Sequence, residues 1–295
     1  MIIRNEADVT RAVLRVMERT TDPRLREIMV ALIRHLHGFV RDVRLTEKEF
    51  EAATALLNEI GQQQTDTNNE VVLMAGSLGV SSLVCLLNTG EQSETDQSML
   101  GPFWRLNSPP TENGGSIVRS PTPGPRVFVE LRYEDTTGAP VAGVEVDVWH
   151  ASTVGLYESQ DAGQADMNLR GKFTTDSDGC IRFVSIKPAG YPIPTDGLVG
   201  RLLAAQGRHP FRPAHLHALA RKQGFKTLIS QIYSADDPRL DDDVQFGVTA
   251  ALIGHYRRHD EPHPDDDTVE APWYTLEHRL TMEPGESRLP LPPIK

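Results

Sequence analysis

Apolar residues recur at helical spacing through the first part of the chain: Val9, Ala12, Val13, Val16 and Met17, then Leu25, Ile28, Met29, Leu32, Ile33 and Leu36, then Phe50, Ala53, Leu57 and Ile60. Each set predicts an amphipathic helix, packed on its neighbours or at a dimer interface. Thr46 and Glu49 have the spacing of a capping box ahead of the third run, and residues 71–87 are apolar enough to read as the buried helix of this region. Past residue 100 the pattern changes. Pro102, Pro109, Pro110, Pro121, Pro123 and Pro125 separate the helices from short stretches of β-branched and aromatic alternation. Residues 127–133 and 144–149 read as strands, with Val144, Val146 and Val148 on one face. Phe173-Thr174-Thr175 and Ile181-Arg182-Phe183 flank the turn signal Asp176-Ser177-Asp178-Gly179 as a hairpin, and 227–233 and 274–282 add further strands. The expectation is a mainly β protein: a helical region over 1–100 and a β-sandwich over 101–295.

Composition narrows the function. With a formal charge of −11, the chain lacks the excess of Lys and Arg that a nucleic-acid or anionic-membrane partner requires, which favours a small-molecule ligand. Cys85 and Cys180 are the only cysteines and lie far apart in sequence, which rules out a Cys-rich zinc site, argues against a disulfide framework and fits a reducing cytoplasm. The N-terminus turns polar at once and no run of about 18 apolar residues occurs, so neither a signal peptide nor a membrane span is expected.

The strongest chemical signal is Arg212-Pro213-Ala214-His215-Leu216-His217. On a strand, His215 and His217 leave the same face and form half of a metal site. His35 and His37 share the spacing but lie in a helical run, where they diverge by roughly 200° and cannot chelate one ion. Known His-x-His families fail locally: Ala218, Leu219 and Ala220 do not continue a metallo-β-lactamase motif, and Arg221 and Lys222 stand where a cupin needs a Glu. His255 and His259 have helical chelate spacing without a zincin Glu, and the runs Asp241-Asp242-Asp243 and Asp265-Asp266-Asp267 lack calcium-loop spacing and read as solvated loops.

Two tyrosine segments, Gly155-Leu156-Tyr157-Glu158 and Lys187-Pro188-Ala189-Gly190-Tyr191-Pro192-Ile193-Pro194, complete a pattern. With Leu100-Gly101-Pro102-Phe103, Asp147-Val148-Trp149, Leu169-Arg170-Gly171-Lys172-Phe173 and Gln231-Ile232-Tyr233, the chain from about Met99 to Val248 resembles the intradiol ring-cleaving dioxygenases of the catechol and hydroxyquinol type. The resemblance implies a ferric enzyme with one mononuclear non-haem Fe(III) per chain, held by Tyr157, Tyr191, His215 and His217. Phenolate is a hard anionic donor, and two tyrosines favour iron over zinc. It further implies a small aromatic diol or triol and O₂ as reactants, with ring opening between the hydroxyl-bearing carbons. Tyr191 would be the displaceable axial ligand, Arg212 the cation that stabilises charge on the ring, and Gln231 a polar group behind the ligands. The helical region matches the family's dimerisation segment, which implies a homodimer and a place for a buried phospholipid at its interface.

Segments around Tyr191–Gly197, Gly200–Leu203 and Gly207–Pro210 resemble hydroxyquinol- and chlorocatechol-type members, so hydroxyquinol (benzene-1,2,4-triol) is the expected substrate, giving 3-hydroxy-cis,cis-muconate, the enol of maleylacetate. Catechol or a substituted catechol is the alternative. The resemblance puts Leu73, Gly76, Leu100, Pro102, Phe103, Ile193, Pro194 and Val248 in the pocket wall. Hydroxyquinol-type members commonly carry Asp where this chain has Gly76, so the expectation is a roomier, less polar wall there. Two other readings make different predictions: a sandwich that binds ligand without metal would take up no iron, and an extradiol enzyme would use ferrous iron on two His and a carboxylate.

Overall fold

A computed structural model of the chain describes residues 2–65 and 68–293. The chain forms two compact units that divide between Glu59 and Ile60.

The first unit holds α1 (Glu6–Met17), α2 (Pro23–Asp42) and most of α3 (Glu47–Gln62). Asn5 and Asp22 cap the first two helices through side-chain oxygens, and Thr46 and Glu49 form the expected capping box on the third. His37 Nδ1 lies 2.9 Å from Thr10 Oγ1, which ties α2 to α1, while His35 is exposed.

In the second unit, residues 71–87 form two helices, α4 (Glu70–Ser77) and α5 (Val80–Asn88), bent by 75° at Leu78-Gly79, where Gly79 has φ +73°. The expectation of one buried helix is corrected: the buried positions are Glu70, Gly76, Ser77 and Ser82, and Val72 and Leu87 are 62% and 75% exposed. The inward polar groups have partners that explain the inversion. Glu70 Oε2 accepts from Val199 N, and Ser82 Oγ donates to the Gln245 carbonyl. No single helix among the described residues is long and apolar enough to cross a membrane; the bent α4–α5 pair passes that test only when its two halves are joined, by length and composition.

The rest of this unit comprises β1 (Arg126–Asp135), β2 (Glu145–Trp149), β3 (Arg170–Thr174), β4 (Cys180–Ile186), β5 (Tyr191–Pro192), α6 (Leu198–Ala205), β6 (Phe211–Arg212), β7 (His215–Arg221), β8 (Leu228–Ser234), β9 (Ile253–Gly254), β10 (Arg257–His259) and β11 (Trp273–Met282). One sheet runs β10-β11-β1-β4, a second β3-β2-β7-β8-β9, and β5 and β6 form a short ribbon. Val127, Val129, Leu131 and Tyr133 of β1 meet Val146 and Val148 of β2 and Leu216, Ala218 and Ala220 of β7 in one core, which makes a β-sandwich. The expected hairpin around Asp176–Gly179 is corrected: β3 pairs with β2 and β4 with β1, so this turn carries the chain from one sheet to the other. His255 lies just ahead of β10 and His259 is its last residue, so neither is on a helix, and His259 stacks on Trp273 at 4.0 Å.

His150 joins the two sheets. Its Nδ1–H donates to Ala151 O at 2.8 Å and its Nε2 accepts from Ser185 Oγ of β4 at 2.7 Å. Burial drives its pKa down to about 4. The unfolded chain therefore takes up a proton below about pH 6.5 that the folded chain refuses until about 4, and stability is lost as pH falls through that window. Between pH 7.5 and 5 this group contributes a loss of about 2 kcal/mol. Urea unfolding of the wild type and His150→Gln at both pH values checks it: the variant should show the shallower pH dependence, and parallel curves would contradict the assignment.

Candidate active site

Alternation along β7 sets the site. Leu216, Ala218 and Ala220 enter the sandwich core, so His215, His217 and Leu219 face the other side of the five-stranded sheet. There they are covered by a second apolar cluster of Trp104, Trp149, Ala151, Tyr157 and Tyr191, flanked by Leu100 and Phe103. Tyr157 enters on the segment after β2, just ahead of a 3₁₀ turn at Glu158–Gln160, and Tyr191 comes from β5, paired in register with Arg212 of β6.

The four side chains singled out as metal donors meet in a row of contacts. Tyr157 Oη lies 3.2 Å from Tyr191 Oη, which lies 3.3 Å from His215 Nε2, which lies 3.2 Å from His217 Nε2. Tyr157, His215 and His217 are at most 2% exposed and Tyr191 is 8% exposed. His215 Nδ1–H donates to Pro213 O at 2.8 Å, which leaves its Nε2 lone pair aimed at the cluster. The His217 ring is set by stacking on Trp149, 4.6 Å between centroids and 7° between planes, and Tyr157 stacks on Phe103 at 4.3 Å. Burial raises the pKa of both phenols and lowers that of both imidazoles, so each of the four groups is neutral when no cation is present. Gly101 has φ +74° and its bare Cα faces His217, where an added Cβ would lie 3.2 Å from Cε1. Behind Tyr157, Glu158 accepts from Arg170 Nε at 2.7 Å and from Arg105 at 2.8 Å.

Arg212 is held in a buried polar cage. Its Nε and Nη2 reach the two oxygens of Asp243 at 3.1 and 3.0 Å, and Nη2 also donates to Tyr233 Oη at 2.5 Å. Tyr233 donates onward to Gln231 Oε1, and Gln231 donates to Met99 O. Burial works against the Arg212 charge, but Asp243 outweighs it and the pKa stays above the usual range; Asp243 in turn is held below the usual carboxylate range by Arg212 despite its burial. Asp243 thus departs from the expectation for its acidic run: it is 4% exposed, whereas Asp241 and Asp242 are exposed.

The residues expected in the pocket wall fall into separate places. Leu100 and Phe103 pack with the tyrosines, and Leu73 packs with Ile193, Val199, Leu203 and Val244. Pro102 and Pro194 are exposed, and Val248 lines a groove of about 470 Å³ with Arg208, Asp243 and Phe246. The space beside Gly76 is not open, because a Cβ there would overlap Gln245 Oε1. Asp243, Tyr233, Gln245 and Gly247 are the contributors that sequence reasoning left without a role.

Two family models match the chain, "Catechol dioxygenase N terminus" over residues 22–96 and "Dioxygenase" over 100–275. The chain belongs to the intradiol ring-cleaving dioxygenase family. A hydroxyquinol 1,2-dioxygenase from a Rhizobium species is 43% identical over 244 residues, 82% of each chain. The solved structure of hydroxyquinol 1,2-dioxygenase from Pseudomonas putida superposes with a TM-score of 0.87 at 35% identity, covering 95% of this chain and 99% of that one. Catechol 1,2-dioxygenase from Pseudomonas arvilla gives 0.78 at 28% identity, covering 97% and 95%. The family's N-terminal model, over residues 22–96, covers α2 and α3 and the α4–α5 helices of the second unit, and leaves α1 outside.

Within this dioxygenase fold Gly247 has a steric task. A Cβ there would overlap Tyr233 Oη and lie 2.8 Å from Arg212 Nη2, so any side chain pushes the guanidinium aside. Gly247→Ala should lower kcat/KM for ring cleavage by about 100-fold with the far-UV circular dichroism unchanged. Steady-state kinetics showing near wild-type turnover would mean that the position of Arg212 does not matter.

Proposed function

We propose that the chain is a ferric intradiol dioxygenase of hydroxyquinol, with Tyr157, Tyr191, His215 and His217 as the ligands of one mononuclear non-haem iron. The observation that carries this reading is the convergence of two phenol oxygens and two imidazole nitrogens at 3.2–3.3 Å spacing in a buried site. Donors sharing one ion at about 2.1 Å are about 3.0–3.4 Å apart, so the spacing suits a single small cation. The donor chemistry selects among cations. Among the described residues no three His, Cys, Asp or Glu side chains gather around one point, and two hard phenol donors suit a trivalent ion better than zinc.

Ferric iron in this site would supply the charge that ionises a chelated diol and the redox chemistry that opens it to O₂. The protein's own groups do the rest. Pro213 O fixes which nitrogen of His215 is free to bind, and Trp149 fixes the plane of His217. Tyr191, the more exposed phenol and the one on a two-residue strand, is suited to swing out and take a proton from a substrate hydroxyl. Arg212, permanently charged and held from behind by Asp243 and Tyr233, offers a preorganised cation to negative charge developing on the ring. Gln231 links that cage to the backbone of Met99, just ahead of Leu100 and Gly101.

The substrate follows from the relatives that carry the hydroxyquinol name, and from the higher TM-score to such an enzyme than to the catechol enzyme, 0.87 against 0.78. A homodimer through the N-terminal helices accounts for apolar faces that the single chain leaves uncovered, with Leu25, Ile28, Leu32 and Leu36 of α2 each 48–51% exposed. A phospholipid at that interface suits the same apolar character.

Oxygen uptake and product analysis test the proposal. Iron-loaded protein should consume one O₂ per hydroxyquinol, place both oxygen atoms in 3-hydroxy-cis,cis-muconate or maleylacetate, and show a higher kcat/KM for hydroxyquinol than for catechol. A higher kcat/KM for catechol would assign the substrate to the other branch of the family, and a semialdehyde product would contradict intradiol cleavage itself.

A further inference from the structure

We infer that Arg170, a buried cation with no part in the chemistry described so far, is a positioning residue that holds Tyr157 in the donor cluster through Glu158. It makes Tyr157 the fixed phenol of the pair and leaves Tyr191 as the one that can move. This role rests on the ferric reading of the cluster and adds what keeps one of its two tyrosines in place. Across the five-stranded sheet, Arg170 of β3 stands opposite Trp149 of β2, which stands opposite His217 of β7. Directly opposed residues share a face, so the Arg170 side chain leaves the sheet on the donor side. Leu169, just ahead of it, holds φ +57°, a backbone conformation uncommon for a residue with a side chain and one that the surrounding structure has to impose.

The guanidinium reaches Tyr157 in two ways. Its Nε donates to Glu158 Oε1 at 2.7 Å, and Arg105 Nη1 donates to the same oxygen at 2.8 Å. Glu158 follows Tyr157 directly, so this double grip fixes the backbone that carries the phenol. Gln160 closes the turn: its Oε1 accepts from Tyr157 N at 3.1 Å and its own N–H donates to Tyr157 O at 2.9 Å. The Arg170 guanidinium carbon also lies 6.0 Å from the centroid of the Tyr157 ring, which stacks on Phe103. Nη1 and Nη2 of Arg170 are buried and have no hydrogen-bond partner among the described residues. Two idle donors on a buried cation are costly in an ion pair that serves the fold alone. The cost is offset where the cation faces a group that meets the metal as an anion, which is the part of Tyr157 in a ferric site. Tyr191, in contrast, sits on a two-residue strand and is the more exposed of the two phenols.

Four proteins test this: wild type, Arg170→Met, Arg170→Met combined with Glu158→Leu, and Tyr157→Phe as the reference for a missing donor. The readouts are the melting temperature of the metal-free protein, iron affinity by competition with a chelator, and the phenolate-to-iron band of the loaded protein with hydroxyquinol bound in the absence of oxygen. Arg170→Met should lower the melting temperature, because Glu158 stays buried with one cation fewer. It should also weaken iron binding by about 10-fold or more and move the band toward that of Tyr157→Phe. The double variant removes both charges of the buried pair and should recover the melting temperature, while iron affinity and the band stay at the level of Arg170→Met. A double variant that recovers iron affinity together with the melting temperature would assign the pair to the fold alone and overturn the inference. An Arg170→Met protein that binds iron as tightly as wild type, with the wild-type band, overturns it as well and leaves the ferric reading standing. A wild type that takes up no iron overturns the ferric reading and this inference with it.

Discussion

The site depends on the two-residue alternation of β7. Because Leu216, Ala218 and Ala220 are locked into the sandwich core, the register of this strand cannot slip by one residue without turning two imidazoles into that apolar core and three apolar groups toward the tyrosines. The core therefore fixes the direction of His215 and His217, and the position of their ring nitrogens needs only local help from Pro213 O and Trp149. Building on a central strand gives the donors a rigid base, flanked by β2 on one side and β8 on the other. The tyrosines come from less regular backbone, one on a loop and one on a two-residue strand.

A second constraint operates around Arg212. Burying a guanidinium is costly unless its charge is matched, and Asp243 supplies that match while Asp243 and Tyr233 accept from Nε and Nη2. The cage has geometric consequences. It requires a residue without a side chain at position 247, it anchors the loop that carries Gln245, and it connects through Gln231 to Met99 and so to the Gly101 segment that lies on His217. The cation and the loop that carries Gln245 are thus parts of one hydrogen-bonded arrangement, which ends on the segment packed against His217.

Much of this was legible in the sequence where the signal is local. Strand alternation marked β1, β2, β8 and β11 and the shared face of His215 and His217, and helical period marked α1 to α3. The place of Tyr157 and Tyr191 beside the two histidines was legible only through resemblance, because neither sits in a periodic segment long enough to show a face. Turn chemistry at Asp176–Gly179 marked a reversal but not which strands pair, and the chain uses it to change sheets. Asp243 looked like its exposed neighbours, since only the arrival of Arg212 from elsewhere in the chain makes its burial favourable. The wall at Gly76 was misread for the same reason: a missing side chain is visible in sequence, but the distant Gln245 that fills its place is not. Gly79, in the left-handed region at the bend, is the local sign that residues 71–87 form two helices, and the apolar composition of the run does not show it.

The visible spectrum of the purified iron-loaded protein, recorded without oxygen before and after addition of hydroxyquinol, tests most directly whether the Tyr157, Tyr191, His215 and His217 cluster is a ferric diol-binding centre. The account predicts a broad phenolate-to-iron band that moves to longer wavelength when the diol binds and is weakened in Tyr157→Phe. A protein that remains colourless after ferric reconstitution would contradict it and leave a sandwich that binds its ligand without metal.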